Sequence, residues 1–210
     1  MPKKTKDLST EEKIKAAARK IFTRQGYAAT RTRDIAEEAG INLALLNYYF
    51  RSKEKLFELV MKENINLFLG TMLEKINKNP LPFEEQLELI VSNYIDMLLE
   101  NPHLPFFVLN LLQTGQWDQL DKNDQLLRNI EQMRSTFLNN AREEMEKGKI
   151  KPIHPLHIIA NMMSMIIFPF ISSSLLMARA GNINRKKFEE LMQERKKLIP
   201  VWIMGMLTVK

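Results

Sequence analysis

Apolar residues return at three- and four-residue spacing along almost the whole chain, and no run alternates with period two over the length of a strand. Ile14, Ala17, Ala18, Ile21 and Phe22 stand at i, i+3, i+4, i+7 and i+8, which gathers them on one helical stripe. Ser9 with Glu12 three residues on has the pattern of a capping box before that stripe, and Gly26 is a C-cap after it. The spacing predicts a short second helix from about Arg33 to Ala39 with Thr32 as N-cap, and a third from Leu43 to Tyr49 capped by Asn42. Ser52 caps a fourth running from Lys53 to about Lys78. Asn79-Pro80-Leu81-Pro82 breaks the pattern. Helices are then expected over Phe83–Glu100, Pro105–Gln113 and Asp124–Lys147, with Thr114 to Lys122 a loop that holds Trp117. Pro155 to Ala180 reads as one strongly apolar helix, and Asn184 caps a last one reaching about Leu207. The expected fold class is all-α: a three-helix helix-turn-helix domain over residues 1–55, joined to a helical ligand-binding and dimerisation domain over 56–210.

Composition matters here mainly through its distribution. Of 210 residues, 45% are hydrophobic, enough to bury a core and too many for a disordered chain. The net charge is +6. Residues 1–55 carry 13 Lys/Arg against 7 Asp/Glu, whereas residues 56–210 carry 18 of each, so the whole excess lies in the first quarter. A basic module on a neutral body points to a polyanion as that module's partner. The absence of Cys excludes a disulfide framework and thiolate metal sites and fits a reducing compartment. The opening MPKKTKDLSTEEK has no apolar core of a signal peptide, and a cytoplasmic location is expected.

The segment Thr32 to Phe50 reads helix, glycine turn, helix. Ile35, Ala36 and Ala39 supply the inner face of its first helix, Gly40 the turn, and Ile41, Leu46 and Phe50 the anchors of the second. This is a helix-turn-helix, whose second helix fits a major groove. Leu43, Ala44, Leu45, Asn47, Tyr48 and Tyr49 cannot all pack inward on seven residues. Small apolar tips suit thymine methyls, Asn47 can bond a base edge, and tyrosine hydroxyls reach phosphates.

Ala29-Thr30-Arg31-Thr32-Arg33-Asp34-Ile35-Ala36-Glu37-Glu38-Ala39-Gly40-Ile41, followed by Leu45-Leu46-Asn47-Tyr48-Tyr49-Phe50 and Ser52-Lys53-Glu54-Lys55-Leu56, resembles the DNA-binding region of the TetR family of bacterial regulators. The resemblance spans about residues 10–57. It implies that Arg31, Thr32 and Arg33 lie at the start of the second helix against phosphate or base. It places Asn42, Leu43, Ala44, Leu45, Asn47, Tyr48 and Tyr49 along the recognition helix, and Lys53 on a phosphate. Leu43 and Asn47 depart from the family's common residues, which bears on the operator sequence. For the rest of the chain the resemblance implies a helical body with a small-molecule pocket and a dimer formed by the last two long helices. The partners expected are therefore double-stranded DNA with a palindromic operator, a second copy of the chain, and a small-molecule effector; the effector would release a repressor from its operator. A helical protein-interaction adaptor with a non-functional helix-turn-helix is the alternative.

Ile158 to Ala178 is 21 residues without a charge, long enough to span a bilayer. Asn161, Ser164, Pro169 and the Ser172-Ser173-Ser174 triplet interrupt the run, and no aromatic belt marks both ends. A partner subunit is the better cover, and no membrane association is expected. Ile166, Ile171, Leu175 and Trp202 are the candidate interface residues. Met97, Phe106, Phe107, Trp117, Phe137, Met162, Met163 and Phe168 are the candidate pocket residues, apolar and suited to a hydrophobic ligand. His103, His154 and His157 have no carboxylates at ligand spacing, so no metal and no cofactor is expected. No catalytic constellation or phosphate loop stands out, so no enzymatic activity is expected either.

Overall fold

The structure, a computed structural model, describes residues 9–78, 81–114, 124–179 and 183–208. Among these residues there are ten helices: α1 (Thr10–Ala29), α2 (Thr32–Glu38), α3 (Leu43–Tyr49), α4 (Lys53–Lys78), α5 (Phe83–Glu100), α6 (Leu104–Gln113), α7 (Gln125–Glu146), α8 (Pro155–Ile171), α9 (Ser173–Arg179) and α10 (Arg185–Leu207). The all-α class holds, and the only strand-like pairing among the described residues is an isolated antiparallel bridge between Ile150 and Thr208. The chain divides into two compact units, at Ile65.

The N-terminal unit is built on the predicted stripe: Ile14, Ala17, Ala18, Ile21 and Phe22 are all buried. Ser9 accepts from the Glu12 N–H at 3.2 Å while the Glu12 carboxylate accepts from the Ser9 N–H at 2.8 Å, which completes the capping box and holds the Glu12 pKa below its usual value. Gly26 takes φ 76° and ψ 169°, which breaks the helical run of α1 there, one turn before its last residue. The unit runs ten residues past residue 55, the boundary expected from sequence. The reason is that Leu56, Phe57, Val60 and Met61, on the first turns of α4, are buried, and the Phe57 ring meets that of Phe22 edge-on at 4.9 Å. Each such burial contributes about 1.5–3 kcal/mol. α2 begins at Thr32 and takes Arg31 as its N-cap residue, one position earlier than expected, because the Asp34 carboxylate accepts the Arg31 N–H at 3.2 Å.

In the C-terminal unit α5 is the central helix, packing on α7, α8 and α10. Ile90, Val91, Ile95 and Leu98 supply its buried face, and Lys196 of α10 pairs with Asp96. Gln86 and Asn129 are buried polar side chains. The Asn140 amide donates to the Gln86 carbonyl at 2.8 Å and the Gln125 amide to Asn129 at 2.8 Å, so neither is left unsatisfied.

The helix expected over Pro155 to Ala180 is broken. α8 ends at Ile171 and α9 leaves it at 64°. The break falls at Ser172, whose hydroxyl and N–H both bond the Phe168 carbonyl, at 2.8 and 2.9 Å. Pro169, three residues earlier, stays inside α8. Among the described residues no single helix is long and apolar enough to cross a membrane. Ile166, expected at the interface, is 1% exposed and belongs to the chain's own core, whereas Ile171 is half-buried, Leu175 is 61% exposed and Trp202 also stands out. Of the expected pocket residues, Met97, Phe107, Phe137 and Met162 are buried and Met163 is half-buried. Phe106 and Phe168 are exposed, at 49% and 62%, and so do not line the interior. Trp117 lies outside the described residues. Periodicity reported that these residues share helices; it carried no information on which side of an all-apolar helix faces in.

Candidate nucleic-acid interface

The α2–α3 turn is fixed by its backbone. Gly40 adopts φ 67°, a left-handed conformation costly for any residue with a Cβ. The Ile41 N–H reaches back to the Ala36 carbonyl at 3.0 Å and the Gly40 N–H to the Glu37 carbonyl at 3.0 Å. These are the two bonds of a Schellman motif, which closes α2 and sets the exit direction of the chain. Asn42 then caps α3, its Oδ1 accepting the Leu45 N–H at 2.8 Å. That oxygen is thereby engaged in the cap, and the Asn42 amide nitrogen is left for an external partner.

α3 turns Leu46 inward, and Phe50 seals its end; both are buried. Leu43 and Leu45 are half-buried flanks. Ala44, Asn47 and Tyr48 are exposed at i, i+3 and i+4, one outward stripe of the helix. Tyr48 is 81% exposed and its ring stands edge-on to that of Tyr49, with centroids 5.5 Å apart. A short helix that presents a methyl, an amide and a phenol outward, with its leucine packed below, has the shape and donors for a major groove.

Cations flank this stripe. Arg31 and Arg33, at the start of α2, and Arg51 and Lys55, around the start of α4, are exposed, and no ion pair among the described residues engages them. Lys15, Arg19 and Lys20 are committed elsewhere, Lys15 and Arg19 to Glu63 at 2.8 and 3.5 Å and Lys20 to Glu38. Thr32 is half-buried beside the two arginines.

Lys53, expected on a phosphate, is placed otherwise. Its ammonium donates to the carbonyls of Tyr27 and Thr30, both at 3.0 Å, and sits 4.2 Å from the centroid of the Tyr27 ring. The Tyr27 hydroxyl donates in turn to the Glu54 carboxylate. Burial and this acceptor push the Tyr27 pKa up to about 12, and the same bond holds the Glu54 carboxyl below its usual range. Lys53 thus ties the start of α4 to the two carbonyls left open where Gly26 breaks α1, the remaining gap being closed by the Thr30 hydroxyl on the Gly26 carbonyl at 2.6 Å. Tyr27 was not singled out from sequence; its place directly after Gly26 was the available signal.

Comparison with known proteins agrees with this geometry. Residues 14–60 match the family model described as bacterial regulatory proteins, tetR family. That match makes the helix-turn-helix region a TetR-family one. The chain is 28% identical over 163 residues to the HTH-type transcriptional regulator RutR of Shigella flexneri, covering 75% of this chain and 72% of that protein. Its fold is that of a TetR transcription regulator from Haloarcula marismortui, with a TM-score of 0.60 at 18% identity over 95% of this chain and 98% of the other. It is also that of the transcriptional regulator FadR from Bacillus subtilis, solved in complex with stearoyl-CoA, with a TM-score of 0.55 at 21% identity over 89% and 96%. These relatives are regulators of transcription and not enzymes, and the family match takes in the α2–α3 pair.

Proposed function

We propose that this TetR-family regulator is a homodimeric, sequence-specific repressor, acting in the cytoplasm on a palindromic operator and released from it by a small hydrophobic ligand. The observation that carries the reading is the outward Ala44, Asn47 and Tyr48 stripe on a helix that is anchored by the buried Leu46 and closed by the buried Phe50. Arg31, Thr32 and Arg33 hold the phosphates on one side, and Arg51 and Lys55 replace Lys53 in that role on the other. The two-fold symmetry of a dimer matches two such helices to half-sites about one helical turn apart.

Support for the dimer comes from α8, α9 and α10, which leave the large apolar side chains of Phe168, Leu175, Val201 and Trp202 exposed, the kind of side chain a partner subunit covers. Support for the ligand comes from Met97, Phe107, Phe137 and Met162, an interior of adaptable and aromatic side chains. The similarly folded regulator that holds stearoyl-CoA accommodates a long apolar chain. α4 links effector to operator, being one helix that gives its first turns to the N-terminal unit and its last to the C-terminal unit. A ligand that favours one position of α4 shifts the population of dimers whose recognition helices match successive grooves.

The test is binding of the full-length protein to the DNA upstream of its own gene, titrated against salt. Sequence-selective binding that weakens steeply with salt supports the reading. Binding equal to that of random duplex would overturn it.

A further inference from the structure

We infer that Arg195 is a positioning residue that completes the proline-bearing turn of α8 from α10 and holds Trp202 on the apolar face where a second copy of this chain docks. The inference rests on the dimer proposed above. Pro169 has no N–H, so the carbonyl of Met165, which an ordinary residue at 169 would bond at i−4, is left open inside the helix. The Arg195 Nη2 donates to that carbonyl at 2.7 Å, from 30 residues away in sequence. A guanidinium is suited to this, since one edge can hold the carbonyl while its face covers a ring. The ring is that of Trp202, two turns further along α10, with the Arg195 carbon 5.3 Å from its centroid. The Arg195 Nε is buried and has no hydrogen-bond partner, and among the described residues no carboxylate pairs with this arginine. Its position is therefore explained by one carbonyl and one indole, and not by an ion pair.

Each of those contacts borders exposed apolar side chains. Leu198, Val201, Trp202 and Met206 form an exposed apolar stripe on α10, and Phe168 is exposed on the turn of α8 that contains Pro169. Arg195 makes the proline turn and the Trp202 stripe move as one body. An arginine that merely filled space would couple to neither.

A double-mutant cycle on the full-length protein tests this. Arg195→Met removes the donor; Pro169→Ala restores a backbone N–H that closes the Met165 carbonyl from within α8. We expect R195M to lower the unfolding equilibrium constant's inverse, the folding constant, about tenfold in the Pro169 chain, and to have little effect once P169A is present. Equal losses in the two backgrounds would overturn the latch. Arg195→Lys separates its two tasks, because one ammonium can hold the carbonyl or cover the indole but not both. It should keep most of the stability while weakening dimerisation about tenfold by sedimentation equilibrium, as a lost cation–π contact does in a desolvated place. Wild-type dimerisation in both R195M and R195K would refute the role toward the docking face. A wild-type chain monomeric at every concentration would refute the dimer instead, and the cycle would still decide the latch.

Discussion

The two units of this regulator treat their apolar residues in opposite ways. In the N-terminal unit the isoleucines and leucines of α1, α2 and α3 go inward or to the flanks, and the recognition helix shows water an alanine, an asparagine and a tyrosine. In the C-terminal unit Phe168, Leu175 and Val201 stay more than 60% exposed. One unit packs most of its larger aliphatic side chains within the chain and offers polar groups and cations; the other leaves large apolar side chains exposed. A polyanion binds the first kind of surface by counterion release and hydrogen bonds, and a second copy binds the second kind by burial.

The largest effect is expected where the boundary between core and docking face is crossed. Ile166→Asp places a carboxylate in a site 1% exposed with no partner, and should destabilise the chain by about 4 kcal/mol or more, seen as a collapse of the urea midpoint. Leu175→Asp, at a site 61% exposed, should leave the fold standing and instead yield a monomer that has lost operator binding although its helix-turn-helix is intact. Sedimentation velocity with a DNA-binding titration separates the two. A dimeric, DNA-competent L175D protein would move the interface off α9.

Within the DNA-reading unit, base contact and phosphate contact should come apart. Asn47→Ala should cost about 1–3 kcal/mol of operator affinity and relax preference at one base pair, measured by competition with single-substituted operators. Unchanged preference would remove Asn47 from the readout. Arg33→Ala should weaken all sequences alike and reduce the slope of log affinity against log salt by about 0.9. Lys53→Met should leave that slope as it is and lower the melting temperature, because its ammonium bonds two carbonyls of its own chain. A slope reduced as in R33A would return Lys53 to the phosphates.

How far sequence reaches is visible in these same residues. The α1 stripe, the Gly40 turn and the Asn42 and Asn184 caps were readable because each is local: a few neighbouring side chains decide the backbone. The outward stripe of α3 followed, since Leu46 and Phe50 leave one face free. The bend at Ser172 was not readable, since a proline inside a helix normally marks the break itself. Here the chain continues through Pro169 because Arg195 supplies the missing donor from another helix, and turns only three residues later. Ile166 was misassigned for a related reason: an uncharged helix has no polar side to reveal which face is core. The Lys53 brace is not legible either, because a lysine two residues after Arg51 gives no sign that α1 ends nearby with open carbonyls.

The smallest effect concerns the brace beside Lys53, and it sharpens the comparison through pH. The Tyr27 hydroxyl donates to the Glu54 carboxylate, and its pKa stands at about 12 against 10.0 in an unfolded chain. A group whose folded pKa is raised stabilises the fold fully below its unfolded value and loses that contribution as pH climbs through the folded one. The Tyr27 contribution is therefore whole below about pH 10 and fades toward pH 12. Glu54 has the opposite sign. Its folded pKa is depressed, so its share is present above 4.5 and disappears as pH falls through the lowered value. Tyr27→Phe keeps the ring under the Lys53 ammonium and removes only the hydroxyl. The net loss should be small, since Glu54 is exposed and Tyr27 only half-buried. Melting curves of the wild type and Y27F should differ by a constant amount between about pH 6 and 9 and converge at both extremes, while the salt slope of DNA binding stays the same in both proteins. A gap that persists unchanged above pH 11 would mean that Tyr27 acts through its ring alone, against the Lys53 ammonium and the Phe57 ring of α4.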